Sequence, residues 1–243
     1  LEKREDMIYL GSKARIVDEI LPIMLQSMHP GQTFTDAFCG GCNVIQHVPP
    51  EYRRIANDNN RYLIAMWKAI TTTGWNPPTV IPKAYYNNVR ASWHKNDGKY
   101  SDAEIGWVGF MGSRNGRFFD GGFSGFTGGR DYISESVRNI NKQIRELQGV
   151  EWQTGSYDQI VIPPGSLIYC DPPYKGTTSY STARNFDYDH FYDWARQMKS
   201  DGHIVFVSEY LMPGDFSCVW EKSITNNLNP TKTYTAVEKL WMV

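Results

Sequence analysis

The sequence predicts an α/β fold, a mostly parallel sheet with helices between its strands and an antiparallel hairpin at the C-terminal end. Three observations carry this. Short apolar runs of strand length alternate with segments of helical period. The strand-like runs end in turn residues or acids, as at Asp36 and at Asp171-Pro172-Pro173-Tyr174. The tail alternates as two strands, Ser217 to Ile224 and Thr233 to Met242, joined by an Asn/Pro-rich loop.

In chain order, Ser12 is the expected N-cap of a helix in which Ile16, Ile20, Ile23 and Met24 recur at helical spacing, until His29-Pro30-Gly31 stops it. Thr33 to Phe38 reads as a strand, followed by Gly40-Gly41 and a short helical stretch near Val44-Ile45. Ile55-Ala56-Asn57 is a second strand with Asp58 at its end, and a helix follows from about Arg61 to Ile70. Between Thr71 and Gly129 regularity fades: Pro77, Pro78 and Pro82 come early, and eight of the 21 glycines fall between Gly109 and Gly129. A long irregular insertion in a compact domain is usually functional. Asp131 to Leu147 returns to a helix, with Ile133, Val137, Ile140, Ile144 and Leu147 on one face. Glu151-Trp152-Gln153 and Leu167 to Cys170 read as strands, Phe186 to Met198 as a helix, and His203 to Val207 as a buried strand.

A chain of 243 residues is long enough for one large domain with an insertion. No stretch approaches a membrane span and none reads as a signal peptide, so no membrane partner and a cytoplasmic location are expected. Residues 1–6 form a charged leader, read as a remnant of processing or expression and kept out of the fold. With 25 basic and 26 acidic residues the net charge is −1, which excludes a generally basic nucleic-acid binder and makes any such surface local. Aromatics make up 14% and serve cores and base stacking equally.

Asp171-Pro172-Pro173-Tyr174 directly follows the apolar run Leu167 to Cys170. In open parallel sheets ligands sit outside the carboxyl ends of strands, where this tetrapeptide falls. The prolines fix φ and lack backbone donors, so the carbonyls of Asp171 and Pro172 can face outward as acceptors beside the carboxylate. A planar amine fits such acceptors, with Tyr174 beneath its ring. The same four residues are also ordinary turn chemistry.

Asp36-Ala37-Phe38-Cys39-Gly40-Gly41 is a strand-end glycine turn that admits a ligand to the backbone. It matches neither GxxxxGK[ST] nor GxGxxG, so phosphate binding is not implied. Asp58, about twenty residues beyond the glycines, stands where an acid can accept from ribose hydroxyls; its alternative is a helix cap. Together these suggest a nucleoside without a pyrophosphate. Cys39 and Cys42 have CxxC spacing, which raises a redox pair as a rival reading. No second pair and no His-x-x-x-His companion supports zinc, and no metal is expected.

The order of glycine turn, acidic second-strand end and Asp-Pro-Pro-Tyr resembles the Dam-like class of DNA adenine methyltransferases, from Met7 onward. Tyr9-Leu10-Gly11-Ser12-Lys13 resembles that family's opening motif, near cofactor and target base, and Asp36 to Gly41 resembles its FxGxG turn, with Cys42 in place of a further glycine. The resemblance implies a Rossmann-like methyltransferase sheet over 7–72 and 130–243, with a target-recognition region inserted at 73–129. It implies S-adenosyl-L-methionine as cofactor, held by Tyr9, Lys13, Asp36, Phe38, Cys39, Gly40, Asp58, Tyr157 and Asp158; the last two also read as an N-terminal helix cap. It implies a flipped-out adenine as substrate, with Asp171, Pro172, Pro173 and Tyr174 as the catalytic residues.

Met111 to Phe118 resembles the family's RxNxxGxF-type stretch, which makes Arg114, Asn115, Arg117 and, further on, Arg130 the expected DNA contacts. The row Arg138, Lys142 and Arg145 reads as a solvated face. Cytosine C5 methylation would use a thiolate, commonly from Pro-Cys, and no Pro-Cys occurs. Cytosine amine methylation needs the same acceptors but its motif more often begins with Ser. A catalytically silent DNA- or nucleoside-binding domain of the same fold is the other alternative. Double-stranded DNA is the implied partner, in a bacterial or phage-infected cell, with room for a companion restriction endonuclease; oligomeric state is not specified.

Overall fold

The computed structural model describes residues 6–175, 186–229 and 232–243. The charged leader, Asp6 apart, lies outside the described residues, as do 230–231 of the Asn/Pro-rich loop. In chain order the elements are α1 (Val17–Gln26), β1 (Thr33–Asp36), β2 (Arg53–Asp58), α2 (Arg61–Thr72), α3 (Lys83–Lys95), α4 (Asp102–Met111), a two-stranded ribbon of β3 (Phe126–Thr127) and β4 (Arg130–Asp131), α5 (Tyr132–Glu146), β5 (Glu151–Thr154), β6 (Leu167–Cys170), α6 (Tyr188–Ser200), β7 (Ile204–Ser208), β8 (Ser217–Asn229) and β9 (Lys232–Met242). The main sheet has the order β5-β2-β1-β6-β7-β9-β8. Its first five strands are parallel, and β9 runs antiparallel to both β7 and β8. This is the predicted mostly parallel sheet with a C-terminal hairpin. Among the described residues no helix is long and apolar enough to cross a membrane.

The central strands β1 and β6 are buried at every position. β6 reads as an unbroken apolar run because helices cover both faces of a parallel sheet, whereas β1 buries Thr33, Thr35 and Asp36 along with Phe34. β1 ends at Asp36, two residues short of the expected Phe38, because Ala37 and Phe38 already belong to the glycine turn. β8 and β9 are longer than expected, pairing as far as Asn229 with Lys232, so the connecting loop is shorter than the composition suggests.

Two helix starts differ from expectation. α1 begins at Val17 after Ile16, with no side-chain cap. Ser12 instead accepts from the Ala14 amide and from Asn43 Nδ2. Asp58 does not cap α2: Asn60 does, accepting from the Tyr62 and Leu63 amides.

The stretch expected to be irregular contains α3 and α4. α4 is buried at every position from Ile105 to Met111, so it carries no polar face and no amphipathic period. α3 shows the reverse, burying only the stripe Tyr86, Val89 and Ser92. Pro82 is the N-cap of α3, and the Pro78 carbonyl accepts from Trp107 Nε1 at 2.9 Å, so these prolines introduce helices instead of interrupting them. Tyr86, Trp107, Phe110 and Phe119 of this stretch share one core with Ile20, Phe34, Leu63 and Trp67 of the sheet and its helices.

α2 and α4 meet at Gly106, where an added Cβ would lie 2.1 Å from the Tyr62 carbonyl oxygen. The neighbour is backbone and cannot rotate away. Gly106→Ala is therefore expected to destabilise the fold by about 1–3 kcal/mol or more through overpacking, read as a lower urea midpoint; an unchanged midpoint would show that the helices can part at little cost.

Candidate active site

The sheet reverses its winding between β1 and β6, and in such sheets the crevice beyond those strand ends receives ligands. β1 and β6 pair with Asp36 beside Tyr169, so Asp171 emerges just beyond Asp36. β2 ends at Asp58 and β7 is followed at once by Glu209, so four carboxylates converge on one edge.

The tetrapeptide is held from several sides. Lys13, 5% exposed, places Nζ 2.8 Å from Asp171 Oδ1, donates to the Gly11 carbonyl at 2.9 Å, and lies 4.7 Å from the centre of the Tyr174 ring. The Tyr174 hydroxyl donates to Glu238 Oε2 at 3.0 Å, and its ring meets Tyr210 edge-on at 4.6 Å. The Pro173 carbonyl accepts from the Tyr188 hydroxyl at 3.0 Å. Glu209, 1% exposed, accepts from the amides of Lys175 (3.0 Å) and Tyr210 (2.7 Å), fixing the exit of the turn. Burial pushes the Asp171 carboxyl up to about 6, against the pull of Lys13. Burial and the neighbouring Asp171 charge hold the Asp36 carboxyl well above the usual range.

The glycine turn is shaped by the segment that crosses it. A Cβ on Gly40 would stand 2.6 Å from the Tyr9 ring, and one on Gly41 2.8 Å from Tyr9 Cβ. The Gly40 amide donates to Asp58 Oδ2 at 3.1 Å, the Asn60 amide to Oδ1 at 2.8 Å, and Trp67 Nε1 to the Gly40 carbonyl at 3.2 Å. Burial raises Asp58 to about 6 even against these two backbone donors. Cys42, where the FxGxG pattern has glycine, keeps a left-handed backbone at φ +58°, so the turn retains the glycine shape at a strain cost of about 1–2 kcal/mol. The next helical segment is a single 3-10 turn, Ile45–His47, too short to offer a helix N-terminus to an anion.

Cys39 and Cys42 are free and buried, and burial raises both thiols. A redox pair needs an accessible, acidic thiol, so the geometry opposes that rival. Beyond the turn, Phe38 stacks on Tyr157 at 5.4 Å, with Phe186 and Phe191 packed around them. Asp158 stands exposed at the rim and pairs with His190 Nε2 at 3.1 Å; no helix follows it, so it is not a cap.

The D12 class N6 adenine-specific DNA methyltransferase model matches residues 9–213. The chain belongs to this family. It is a methyltransferase acting on adenine in DNA. Among solved structures it resembles the rRNA methyltransferase AviRa from Streptomyces viridochromogenes, at 12% identity over 97% of this chain and 86% of that one, with a TM-score of 0.45. It also resembles SMU.472, described as a methyltransferase and solved with SAH, at 13% identity over 95% of this chain and 52% of that one, TM-score 0.38. A third is HI0767 of Haemophilus influenzae, described as a methylase, at 9% identity over 95% and 98%, TM-score 0.36. At these values no residue role transfers.

In the methyltransferase the expected site residues fall into two groups. Asp36, Phe38, Cys39, Gly40, Asp58, Tyr9, Tyr157 and Asp158 surround the ends of β1, β2 and β5. Lys13, expected near both cofactor and target base, binds the Asp171 carboxylate and so joins Pro172, Pro173 and Tyr174 in the second group. Arg114, Asn115 and Arg117 are exposed on a turn whose Gly116 lies against the opening segment; a Cβ there would be 1.9 Å from the Ile8 carbonyl oxygen. Arg130 is engaged by Glu135, with Nε 2.6 Å from the carboxylate, and its guanidinium lies 4.9 Å from the Tyr132 ring.

Sequence reasoning passed over Glu209, Glu238 and Gln143. Gln143 takes the Met7 amide at 2.7 Å and donates to the Gly41 carbonyl at 3.1 Å, joining α5 to the opening segment and the glycine turn. Glu209 had a readable signal, an acid directly after a parallel strand. Glu238 had none.

Asp58 and Asp171 hold their protons to higher pH in the native protein than in the unfolded chain. Their contribution to stability is therefore complete below about pH 4 and is lost as pH rises through about 6. In Asp171→Asn one of these groups no longer titrates. The fall in unfolding free energy between about pH 4 and 7, from urea titrations, should be smaller in that variant than in wild type; an equal fall would refute the assignment.

Proposed function

We propose that this methyltransferase transfers a methyl group from S-adenosyl-L-methionine to the exocyclic amine of an adenine extruded from duplex DNA, at a site chosen by the inserted region. The observation that carries the reading is the acceptor set at Asp171 and Pro172 beside the Tyr174 ring, one strand away from the Asp36–Asp58 edge.

The residues on that edge suit the cofactor's chemistry. Each Asp58 oxygen takes one backbone N–H, and a carboxylate has about four acceptor positions, which leaves capacity for ribose hydroxyls. Phe38 and Tyr157 offer an aromatic wall for a purine, with Asp158 at its rim for a ring amine. Asp36, whose carboxyl burial holds above the usual range, is drawn toward its charged form by a cation such as the amino group of a sulfonium amino acid. When bound, the cofactor supplies an electrophilic methyl on a positively charged sulfur.

The chain's own residues do the rest. Adenine's amine is a weak nucleophile because its lone pair is delocalised into the ring. Hydrogen bonds from its two N–H groups to the Asp171 carboxylate and the Pro172 carbonyl favour a pyramidal nitrogen with the lone pair pointing away from both acceptors. Stacking on Tyr174 fixes the ring plane, so the amine is positioned rather than chemically activated. Lys13 Nζ stands at hydrogen-bond distance from Asp171 and over the same ring, at the place such an amine would take, so base entry displaces the ammonium. As the N–C bond forms and the S–C bond breaks, the nitrogen gives up a proton. Asp171, with a carboxyl raised to about 6, holds it better than an ordinary aspartate.

Arg114, Asn115 and Arg117 are placed to meet base edges or phosphates, since guanidinium pairs with guanine and carboxamide with adenine in the major groove. Their turn is backed by the opening segment that carries Lys13, so recognition and catalysis share one support.

Incubation with methyl-labelled S-adenosylmethionine and mixed-sequence DNA tests the reading, and mapping the modified adenines gives the site. Asp171→Ala is expected to lower transfer by about 100-fold or more with cofactor affinity nearly unchanged; unimpaired turnover would sink the mechanism. In wild type, kcat/KM should rise with pH through about 6 as Asp171 ionises, and a profile flat through that range would exclude Asp171 as the acceptor. Arg114→Ala is expected to raise the KM for DNA about 10-fold through loss of one base or phosphate contact, and an unchanged KM would move recognition elsewhere.

A further inference from the structure

β9 meets the parallel sheet only at its end. It pairs with β7 through Met242, Trp241 and Leu240, the last beside Ser208, where β7 stops. From Leu240 back to Lys232 the strand runs on past the carboxyl edge of the sheet with β8 as its partner, and the ladder reaches Asn229 beside Lys232. Eight residues at about 3.4 Å each give an arm of about 27 Å. β8 is the outer strand, so among the described residues the arm is a ribbon two strands wide. Its root is fixed on both sides. Glu238 accepts from the Tyr174 hydroxyl of the catalytic turn at 3.0 Å, and Lys222, opposite Glu238 on β8, pairs with Glu19 in the first turn of α1.

Both strands lie beyond residues 9–213, the extent of the family match. The fifteen residues between Lys222 and Glu238 include no Asp or Glu, in a chain that has 26 of them. Eight of the fifteen are Ser, Thr or Asn, and Lys232 is the one charge. Such a stretch does not repel phosphate, and hydroxyls and carboxamides bond to phosphate oxygens and to base edges alike. Width selects the groove. Two strands about 4.8 Å apart with their side chains fit a major groove about 12 Å wide and not a minor groove about 6 Å wide. We propose that the arm of β8 and β9 is a second DNA-binding element: it lies in the major groove on one side of the extruded base and holds the duplex independently of the turn that carries Arg114 and Arg117. A duplex must stand against the carboxyl edge to deliver a base to Asp171, and the arm projects from that edge. At about 3.4 Å per base pair its length covers up to about eight pairs.

The inference rests on the proposed site at Asp171, and shortening the arm tests it apart from that site. Replacing residues 226–234 by Asn-Gly, a two-residue turn that closes hairpins, joins Thr225 to its partner Thr235 and leaves Lys222, Ile224 and Glu238 in place. The KM for DNA is expected to rise about 10-fold or more, with the affinity for S-adenosylmethionine unchanged. On duplexes trimmed from either end toward the mapped adenine, wild type should lose affinity within about eight base pairs on one side, and the shortened protein should not respond to trimming on that side. An unchanged KM, or equal sensitivity to trimming in both proteins, overturns the proposal.

Lys232→Ala is the milder variant. The slope of the logarithm of DNA affinity against that of salt concentration should fall in magnitude by about 1; an unchanged slope counts against the arm. Thermal melting of each variant separates these effects from unfolding. A wild-type dimer that becomes monomeric when the arm is shortened, with the KM for DNA unchanged, would make the arm a contact between copies and overturn the proposal. Wild-type transfer of label to DNA that Asp171→Ala abolishes tests the parent reading: such transfer, with the same KM in the shortened protein, condemns only the arm.

Discussion

The site depends on one steric constraint, the passage of the opening segment across two backbones that have no side chains. Tyr9 lies over Gly40 and Gly41, and the Ile8 carbonyl abuts Gly116, so close that a methyl group fits at none of the three. The constraint is directional. With Tyr9 laid across the glycine turn and the Met7 amide fixed by Gln143, the chain delivers Lys13 to Asp171 on the far side of the crevice. One short stretch thus touches Gly116, the glycine turn and Asp171. Glycine is required at these positions for proximity, and at Gly40 and Gly116 also for a positive φ.

Electrostatic cost is concentrated at the same place. Asp36, Asp58, Asp171 and Glu209 stand at neighbouring strand ends with raised carboxyls, burial being the first cause at each. Among the described residues Lys13 is the buried cation that faces them, and the backbone donors at Gly40, Asn60, Lys175 and Tyr210 offset part of the rest. Such an edge is poor for stability and good for chemistry. Carboxylates that are reluctant to ionise bind an incoming cation or amine more strongly than solvated ones do. The apolar layers behind it, from Ile20 and Met24 to Trp67 and Trp107, supply the stability that the edge does not.

Legibility in the sequence followed local physics. β6 and its turn could be read because a doubly covered strand is a plain apolar run and two prolines must end it. The helix α5 could be read because its apolar positions recur on one face. α4 could not, since a helix buried all round has no periodicity to detect, and α3 could not, since its buried stripe is three residues wide. At the site, the glycine turn, Asp58 and the Asp-Pro-Pro-Tyr turn could be read in order, and the fold brings all three to one edge of the sheet. The motif of Tyr9 to Lys13 was expected near both cofactor and target base, and only the fold shows that the three residues between them carry the chain from the glycine turn to Asp171. Cys42 looked like a departure from the glycine pattern, yet the backbone keeps glycine's conformation there.

The antiparallel strand is the part no motif could announce, and it has a structural reason. A parallel strand next to β7 would end level with its neighbours and add one more C-terminal tip to the edge. A strand running the other way arrives from beyond the edge, so side chains in its middle pass over the crevice before it enters the sheet at Leu240. The hydroxyl of Tyr174, in the turn after β6, donates to a side chain of this strand. A carboxylate on the overhanging strand reaches it from the open side. The reversal of direction that ends the parallel sheet is thus what completes the pocket, with a residue 64 positions along the chain from the tyrosine it holds.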